Sequence, residues 1–267
     1  GVYSAIGLLA GVSARVVHIR TATDYGSGPV YWIKSMVFRR LIQMTATSVV
    51  GVCQAAREFS GVSPRRYSTI YNGVEPGSLT SVVQTSDPRP PLAILCIGRM
   101  HAAKNLELAI RVFAEYIRDG AAEGARLTLV GREDSGIRAK LEALAKELGV
   151  LDSVFFAGES DDPISEIQKH DLVLLTSVRE GLPGVVLEAA SIGVPVICSD
   201  LPGCREVAAM LPFVEVVPSG SSSARWAQAI RESSFRERRM NRRHFLSSPF
   251  TIDCHRSKML KVWGVEQ

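Results

Sequence analysis

No stretch of this chain stays apolar for anything near the ~20 residues that span a bilayer. Stretches such as Asp171–Leu175 and Gly193–Cys198 are strand-sized. There are five cysteines, an odd count with no CxxC pair, which argues against a disulfide frame or a zinc site and for reduced thiols in a cytosolic protein. The first twelve residues have no basic n-region, so no secretory signal is visible. Residue 1 is Gly, which suits a processed chain or a piece of a longer one. Nothing repeats at a solenoid period, and no GxGxxG follows a predicted strand, which removes support for a dinucleotide oxidoreductase.

What is there is an ordinary globular composition, 46% hydrophobic and 22% charged over 267 residues, long enough to bury a real core. The net charge of +4 is unevenly placed. Residues 1–75 hold 8 Lys/Arg against 3 Asp/Glu, residues 76–220 hold 13 against 20, and residues 221–267 hold 10 against 4. An acidic middle between basic ends speaks against nucleic acid as a partner. It leaves room for a basic face toward an anionic membrane or a phosphorylated substrate, beside the plainer reading of solvated helix faces.

Strands and helices alternate throughout. Before residue 76 the pattern predicts strands at 14–19, 48–52 and 66–71, with helices at 31–44 and 54–59. Residues 76–91, rich in Pro, Ser and Thr, read as a linker. Beyond it come strands at 92–98, 127–131, 153–157, 172–176, 195–199 and 214–217. Helices are expected between them at 105–116, 135–148, 163–168 and 184–192. These strands are continuously apolar, as in a parallel sheet covered on both faces. The expectation is an α/β chain with one complete doubly wound parallel-sheet domain, 92–245, preceded by a partial Rossmann-like domain, 1–75. The tail, 246–267, ends in a helix packing back toward the first domain. Trp226 and Trp263 read as core anchors of terminal helices, and His170, His244 and His255 show no ligand spacing.

Two constellations carry chemistry. In the first, Gly98 ends a strand, a loop carries Arg99 and Lys104, and a helix opens near Asn105. Open α/β sheets bind ligands at strand carboxyl ends, and a helix N-terminus there offers N–H groups to an anion. Arg99 and Lys104 could therefore clamp a diphosphate; the alternative is two solvated loop cations. In the second, Glu180-Gly-Leu-Pro-Gly-Val-Val-Leu-Glu188 follows the strand 172–176. A Gly/Pro turn starts a helix near Gly184, with Glu180 on the loop and Glu188 about one turn inside. The N–H groups of Leu182, Gly184 and Val185 would face the same mouth; the alternative is a capped surface helix with two solvated glutamates.

Together, and in this order, these constellations resemble the retaining, family-four nucleotide-sugar glycosyltransferases of the GT-B fold. The resemblance rests on the G-R-x(n)-K-N loop at 98–105 and the E-x7-E motif at 180–188. Further support lies in IYNGVEPGSL at 70–79, LTLVGRED at 127–134, VFFAGESDD at 154–162, TSVREGLPGVVLEAASIGVPVICSDLPGCREV at 176–207 and SSPFTID at 247–253. It covers about residues 14–260, and the members it looks most like make bacterial capsule, exopolysaccharide and related surface glycans.

The resemblance implies a cytoplasmic, metal-independent transfer of a hexose-type sugar from a UDP- or GDP-sugar to a glycan or lipid-linked acceptor, with retention and no cofactor. Arg99 and Lys104 would neutralise the donor diphosphate and Glu188 would hold the ribose hydroxyls. Glu180 would contact the hexose near its C3 and C4 hydroxyls. The backbone at Gly98 and at Leu182, Gly184 and Val185 would touch phosphate or sugar, and Gly158 and Glu159 would lie near the base. His18 would touch the donor sugar. No DxD lies near a strand end, so no metal ligands are expected. Where such members carry a VSEAA-like turn, this chain has Cys53 in place of Ser, which puts a polar contact in doubt. Their Gly-rich N-terminal loop has no counterpart, so an upstream stretch is expected to be absent. That leaves the alternative of a truncated remnant that binds nucleotide sugar without turnover. The basic helix 31–44, with Lys34, Arg39 and Arg40, could rest on the inner face of an anionic membrane near a lipid-linked acceptor, or be a solvated face.

Overall fold

The chain's Val/Ile/Leu runs become short strands and its amphipathic stretches the helices between them. A computed structural model describes residues 2–21, 28–76, 92–118, 122, 124–233 and 238–265. Most of the expected linker, 77–91, and positions 234–237 lie outside the described residues. The chain divides into two compact units: residues 1–73 with 180–183 and 249–267, and residues 74–179 with 184–248.

The larger unit holds six parallel strands: β4 (Ala93–Ile97), β5 (Arg126–Val130), β6 (Val154–Gly158), β7 (Leu172–Leu175), β8 (Val196–Ser199) and β9 (Val214–Val217). Their order is β6-β5-β4-β7-β8-β9. The sheet therefore grows outward from β4 in both directions, the doubly wound arrangement in which direction reverses between the first and fourth strands. The crossovers are α4 (Leu106–Ile117), α5 (Ile137–Glu147), α6 (Pro163–Gln168), α7 (Gly184–Ser191) and α8 (Pro202–Ala208), and α9 (Ser223–Glu232) and α10 (Arg238–Leu246) follow β9. Helix α4 shows how burial organises the unit. Its apolar positions 106, 109, 110, 112 and 113 are all buried and join one cluster with Trp226, Ala229 and Ile230 of α9. Truncating Phe113, which is fully buried, to Ala would cost about 3–5 kcal/mol. The unit's far end is closed by Arg238, which donates to the Gln168 and His170 carbonyls. Nearby, the Asp171 carboxylate accepts from the Ala93 N–H at 2.9 Å, tying the start of β7 to β4.

The smaller unit has three parallel strands in the order β1 (Val16–Ile19), β2 (Ser48–Gly51), β3 (Tyr67–Thr69). Helices α1 (Val2–Leu9), α2 (Pro29–Thr45), α3 (Ala55–Ser60) and α11 (Ile252–Trp263) complete it. Val50, Ile70 and Met259 form its small core, and His255 Nδ1 lies 2.7 Å from the Tyr71 carbonyl. Tyr67 donates its hydroxyl to the Cys53 carbonyl, fixing the turn after β2.

The three-plus-six strand count and the parallel character agree with the sequence pattern. Two helices escaped it. Helix α1 has no charged residue to give an amphipathic period. Helix α8 is a seven-residue element opened by Pro202 inside a stretch read as loop. Trp263 is not a core anchor: it lies in the last turn of α11 with 56% of its surface exposed, whereas Trp226 is buried as expected. Nor is α2 simply basic on its open side, since Trp32, Ile33, Met36 and Val37 are exposed there.

Candidate functional site

In an open parallel sheet, the loops leaving the two central strands diverge to opposite faces and leave a crevice at their carboxyl ends. Here those strands are β4 and β7. The loop after β4 carries Arg99 and Lys104, and the helix after β7 carries Glu188. Beneath lies a cavity of about 10 Å³, lined by Cys96, Gly98, Lys104, Leu174 and Thr176 among others, a space for about one water molecule.

The two loops are tied together. The Thr176 hydroxyl, just past β7, is shared between the carbonyl oxygens of Lys104 and Asn105, 3.0 Å from each. The Val178 N–H donates to the Ala103 carbonyl at 2.8 Å. Asn105 takes a left-handed conformation, φ 50° and ψ 47°, which turns the chain from a short 3₁₀ turn at 102–104 directly into α4. His101 accepts the Ala103 N–H through Nδ1 at 3.3 Å and caps that turn.

Three strand ends are glycines with positive φ: Gly98 (134°), Gly131 (141°) and Gly158 (74°). Their backbones lie edge to edge, with Gly98 N–H donating to the Val130 carbonyl at 2.9 Å and Gly131 N–H to the Gly158 carbonyl at 2.6 Å. A Cβ on Gly131 would lie 2.1 Å from the Gly98 carbonyl oxygen. A Cβ on Gly98 would meet the end of the Lys104 side chain, at 3.3 Å from Cε and 3.4 Å from Nζ. The bare backbone at 98 thus gives the ammonium group its seat.

Glu188 is the fifth residue of α7, yet its carboxylate reaches back toward the helix start: Oε1 would be 3.4 Å from a Cβ on Gly184. Burial pushes the Glu188 carboxyl above its ordinary pKa, and the Lys104 ammonium pulls it back part of the way. Burial alone pushes the neighbouring Cys96 thiol up to about 12, against a smaller opposing pull from Lys104, so it is no thiolate.

Of the residues expected from sequence, this unit therefore brings together Gly98, Lys104, Gly184 and Glu188. Arg99 is turned to Asp134, its Nε donating to Oδ1 at 2.8 Å. Val185 lies in the first turn of α7, and Gly158 with Glu159 at the end of β6. Glu180 and Leu182 group with the smaller unit, where a Cβ on Gly181 would lie 2.2 Å from the Arg20 carbonyl oxygen. His18 sits in β1, its imidazole pKa lowered by desolvation, then by His255 and Arg20. Thr176 and Gly131 were not singled out from sequence. Their only signals were a hydroxyl in the last position of an apolar run and a glycine at a strand end. Among the described residues no three His, Cys, Asp or Glu side chains form a metal-binding group.

Comparison with known proteins gives this geometry a context. Residues 83–242 match the family Glycosyl transferases group 1. The capsular polysaccharide biosynthesis glycosyltransferase CapH of Staphylococcus aureus is 24% identical over 212 residues, 78% of this chain and 58% of that protein. The N-acetylgalactosamine-N,N'-diacetylbacillosaminyl-diphospho-undecaprenol 4-alpha-N-acetylgalactosaminyltransferase of Campylobacter jejuni is 26% identical over 147 residues, 55% of this chain and 38% of that protein. The chain thus spans about half the length of the curated relatives it matches. Among solved structures, Anabaena HepE in complex with UDP and glucose superposes with a TM-score of 0.79 at 18% identity, covering 99% of this chain and 75% of that one. The fold is that of the GT-B glycosyltransferases, and the chain belongs to the group 1 glycosyl transferases.

Proposed function

We propose that this member of the group 1 glycosyl transferases moves a hexose-type sugar from a UDP- or GDP-sugar to a glycan or lipid-linked acceptor in bacterial surface-polysaccharide synthesis. Configuration at the transferred carbon is retained, and neither metal nor cofactor takes part. The domain roles follow the chain order: 1–75 on the acceptor side, 76–91 linking, 92–245 holding the donor, and 246–267 returning to the first part. The relatives' names support the reaction class. The observation that carries the reading is that the Lys104 ammonium acts on the half-buried Glu188 carboxyl at the reversal point of the larger sheet.

As the nucleoside diphosphate leaves, negative charge grows on its β-phosphate oxygen. Lys104, with Arg99 swung from Asp134, and the first-turn N–H groups of α7 meet that charge without reorganising solvent, which is where electrostatic catalysis gains most. The backbone at Gly98, Leu182, Gly184 and Val185 follows the phosphates and sugar. Glu188, a half-buried carboxylate, accepts from the two ribose hydroxyls, and Gly158 and Glu159 border the base. Glu180 takes the hexose C3 and C4 hydroxyls and His18 touches the same sugar. The acceptor hydroxyl attacks from the face the diphosphate leaves, so configuration is kept. The work is done in the cytoplasm, at the inner face of the membrane where a lipid-linked acceptor is used.

Titration calorimetry of the chain with UDP, GDP and their sugars tests the reading. Binding of one nucleotide series, weakened at least tenfold by Lys104→Ala and by Glu188→Ala, is the expected result; no binding of any of them would overturn it. Loss of turnover by the whole protein on adding EDTA would overturn the metal-free step. A second reading, a remnant that binds the donor without turnover, draws on one observation: among the described residues the smaller unit has three strands against six. Donor binding without transfer or donor hydrolysis would favour it.

A further inference from the structure

At the carboxyl end of β1 stands a cation that the reaction proposed above leaves without a task, Arg20. Side chains alternate along an extended chain. Ile19 is buried, and His18 and Arg20, one residue to either side of it, are both exposed. The turn 180–183 groups with this unit and lies directly against the Arg20–Thr21 peptide. A Cβ on Gly181 would be 2.2 Å from the Arg20 carbonyl oxygen and 3.5 Å from the Thr21 Cα. The bare glycine thus sets Arg20 next to the turn that begins with Glu180. On the other flank, His255 of α11 is fixed by the Tyr71 carbonyl, 2.7 Å from its Nδ1. A carbonyl only accepts, so Nδ1 carries the proton. Gly73 permits this packing, since a Cβ there would lie 2.6 Å from the His255 Cβ.

These basic groups act on one another. Desolvation first, and then the charges of His255 and Arg20, hold the His18 imidazole below its ordinary pKa. The carboxylates among the described residues of this unit are Glu58, Glu180 and Asp253. Among the described residues no ion pair holds the Arg20 guanidinium.

We infer that Arg20, flanked by His18 and His255, is a specificity-determining residue that receives a carboxylate on the transferred sugar, so that the donor is a nucleotide-activated hexuronic acid. This rests on the reading above, in which Glu180 takes the C3 and C4 hydroxyls. On a pyranose ring C4 adjoins C5, the carbon that bears the exocyclic C6 group. A side chain beside Glu180 therefore meets that group. In a neutral hexose C6 is a hydroxymethyl, which both donates and accepts and needs no cation. In a hexuronic acid it is a carboxylate, an acceptor only. The guanidinium is donor-only, and its planar fork meets a carboxylate with two parallel bonds. The same cation offsets the like-charge repulsion between Glu180 and an acidic sugar, which would otherwise disfavour that donor. The carboxylate takes no part in bond making, so the transfer step itself is unchanged.

The test is titration calorimetry of the 267-residue chain with UDP and GDP and with matched donors. The pairs are UDP-glucose with UDP-glucuronic acid, UDP-galactose with UDP-galacturonic acid, and GDP-mannose with GDP-mannuronic acid. In at least one pair the acidic donor should bind at least ~5-fold tighter than its neutral partner, and that advantage should shrink as salt rises from about 0.05 M to about 0.5 M. Arg20→Gln should erase the advantage through a fall confined to the acidic donor. Neutral donors that bind as tightly as acidic ones, in a chain that does bind UDP or GDP, would overturn the inference and leave the reading above standing. Binding of no nucleotide would overturn both. Equal weakening of the free nucleotide, the neutral donor and the acidic donor by Arg20→Gln would assign Arg20 to the diphosphate or to the fold and overturn the inference. An acidic preference that survives Arg20→Gln would overturn it as well.

Discussion

The hydroxyl of Thr176 reaches across from the end of β7 and donates to the Lys104 carbonyl 3.0 Å away, sharing its proton with the Asn105 carbonyl at the same distance. One buried side chain thereby fixes the loop that presents the ammonium group. Replacing it by Val keeps the shape but leaves two carbonyls without that donor, at about 1–3 kcal/mol for buried groups. Thr176→Val should therefore lower the unfolding free energy by that amount in urea. It should also weaken UDP or GDP binding severalfold, because Lys104 loses its support. An unchanged urea midpoint would show the bond to be dispensable.

Gly131 makes a sharper case. Its φ of 141° and the 2.1 Å gap to the Gly98 oxygen forbid a side chain. Gly131→Ala should cost at least ~3 kcal/mol, since β5 must then move away from the Gly98 loop. Gly136→Ala is the control: its φ is also positive, but nothing lies within 4 Å of the added Cβ, so only the ~1–2 kcal/mol left-handed backbone term applies. Equal losses in denaturant unfolding for the two would sink the steric account.

These two sites also show where the sequence was legible. Strand positions could be read because buried parallel strands are continuously apolar, as 172–175 and 196–198 are. Lys104 and Glu188 could be read because chemistry-bearing residues followed strands at spacings the fold uses. Thr176 could not, because a Thr ending an apolar run looks like any other β-branched strand residue; its role depends on a partner 72 positions away. The outward apolar side of α2 was hidden for a related reason. Spacing reveals that a helix has sides, but which one is covered depends on α1, itself invisible in an uncharged, unpatterned stretch.

Arg99 and Asp134 set the next expectation. Their pair is 57% and 40% exposed, so it contributes at most ~1 kcal/mol to stability. Freeing the guanidinium should cost the fold little and help the ligand. Asp134→Asn is expected to leave the melting temperature within error and to tighten diphosphate binding about two- to fivefold, while Arg99→Ala weakens it. Weaker binding by Asp134→Asn would instead make Asp134 part of what positions the clamp.

Glu188 links stability to pH in a direction opposite to most carboxylates. Its pKa is raised, chiefly by burial, above the ordinary value of 4.5. As pH climbs past that value, the unfolded chain gives up this proton before the folded one does. The folded state then holds more protons, and stability falls with rising pH until the folded carboxyl has also ionised. A neutral amide of the same shape removes that loss. Glu188→Gln should therefore melt higher than the natural chain at about pH 7, and the difference should shrink toward about pH 4, where both forms are neutral at this position. In the same variant nucleotide binding should weaken about tenfold, because an amide offers one acceptor where the carboxylate offers two. The ionised carboxylate would thus be kept at a cost to the fold because the ligand requires it. A melting difference that stays constant from pH 4 to pH 7 would remove the burial account, and unchanged calorimetric affinity would remove Glu188 from the donor site.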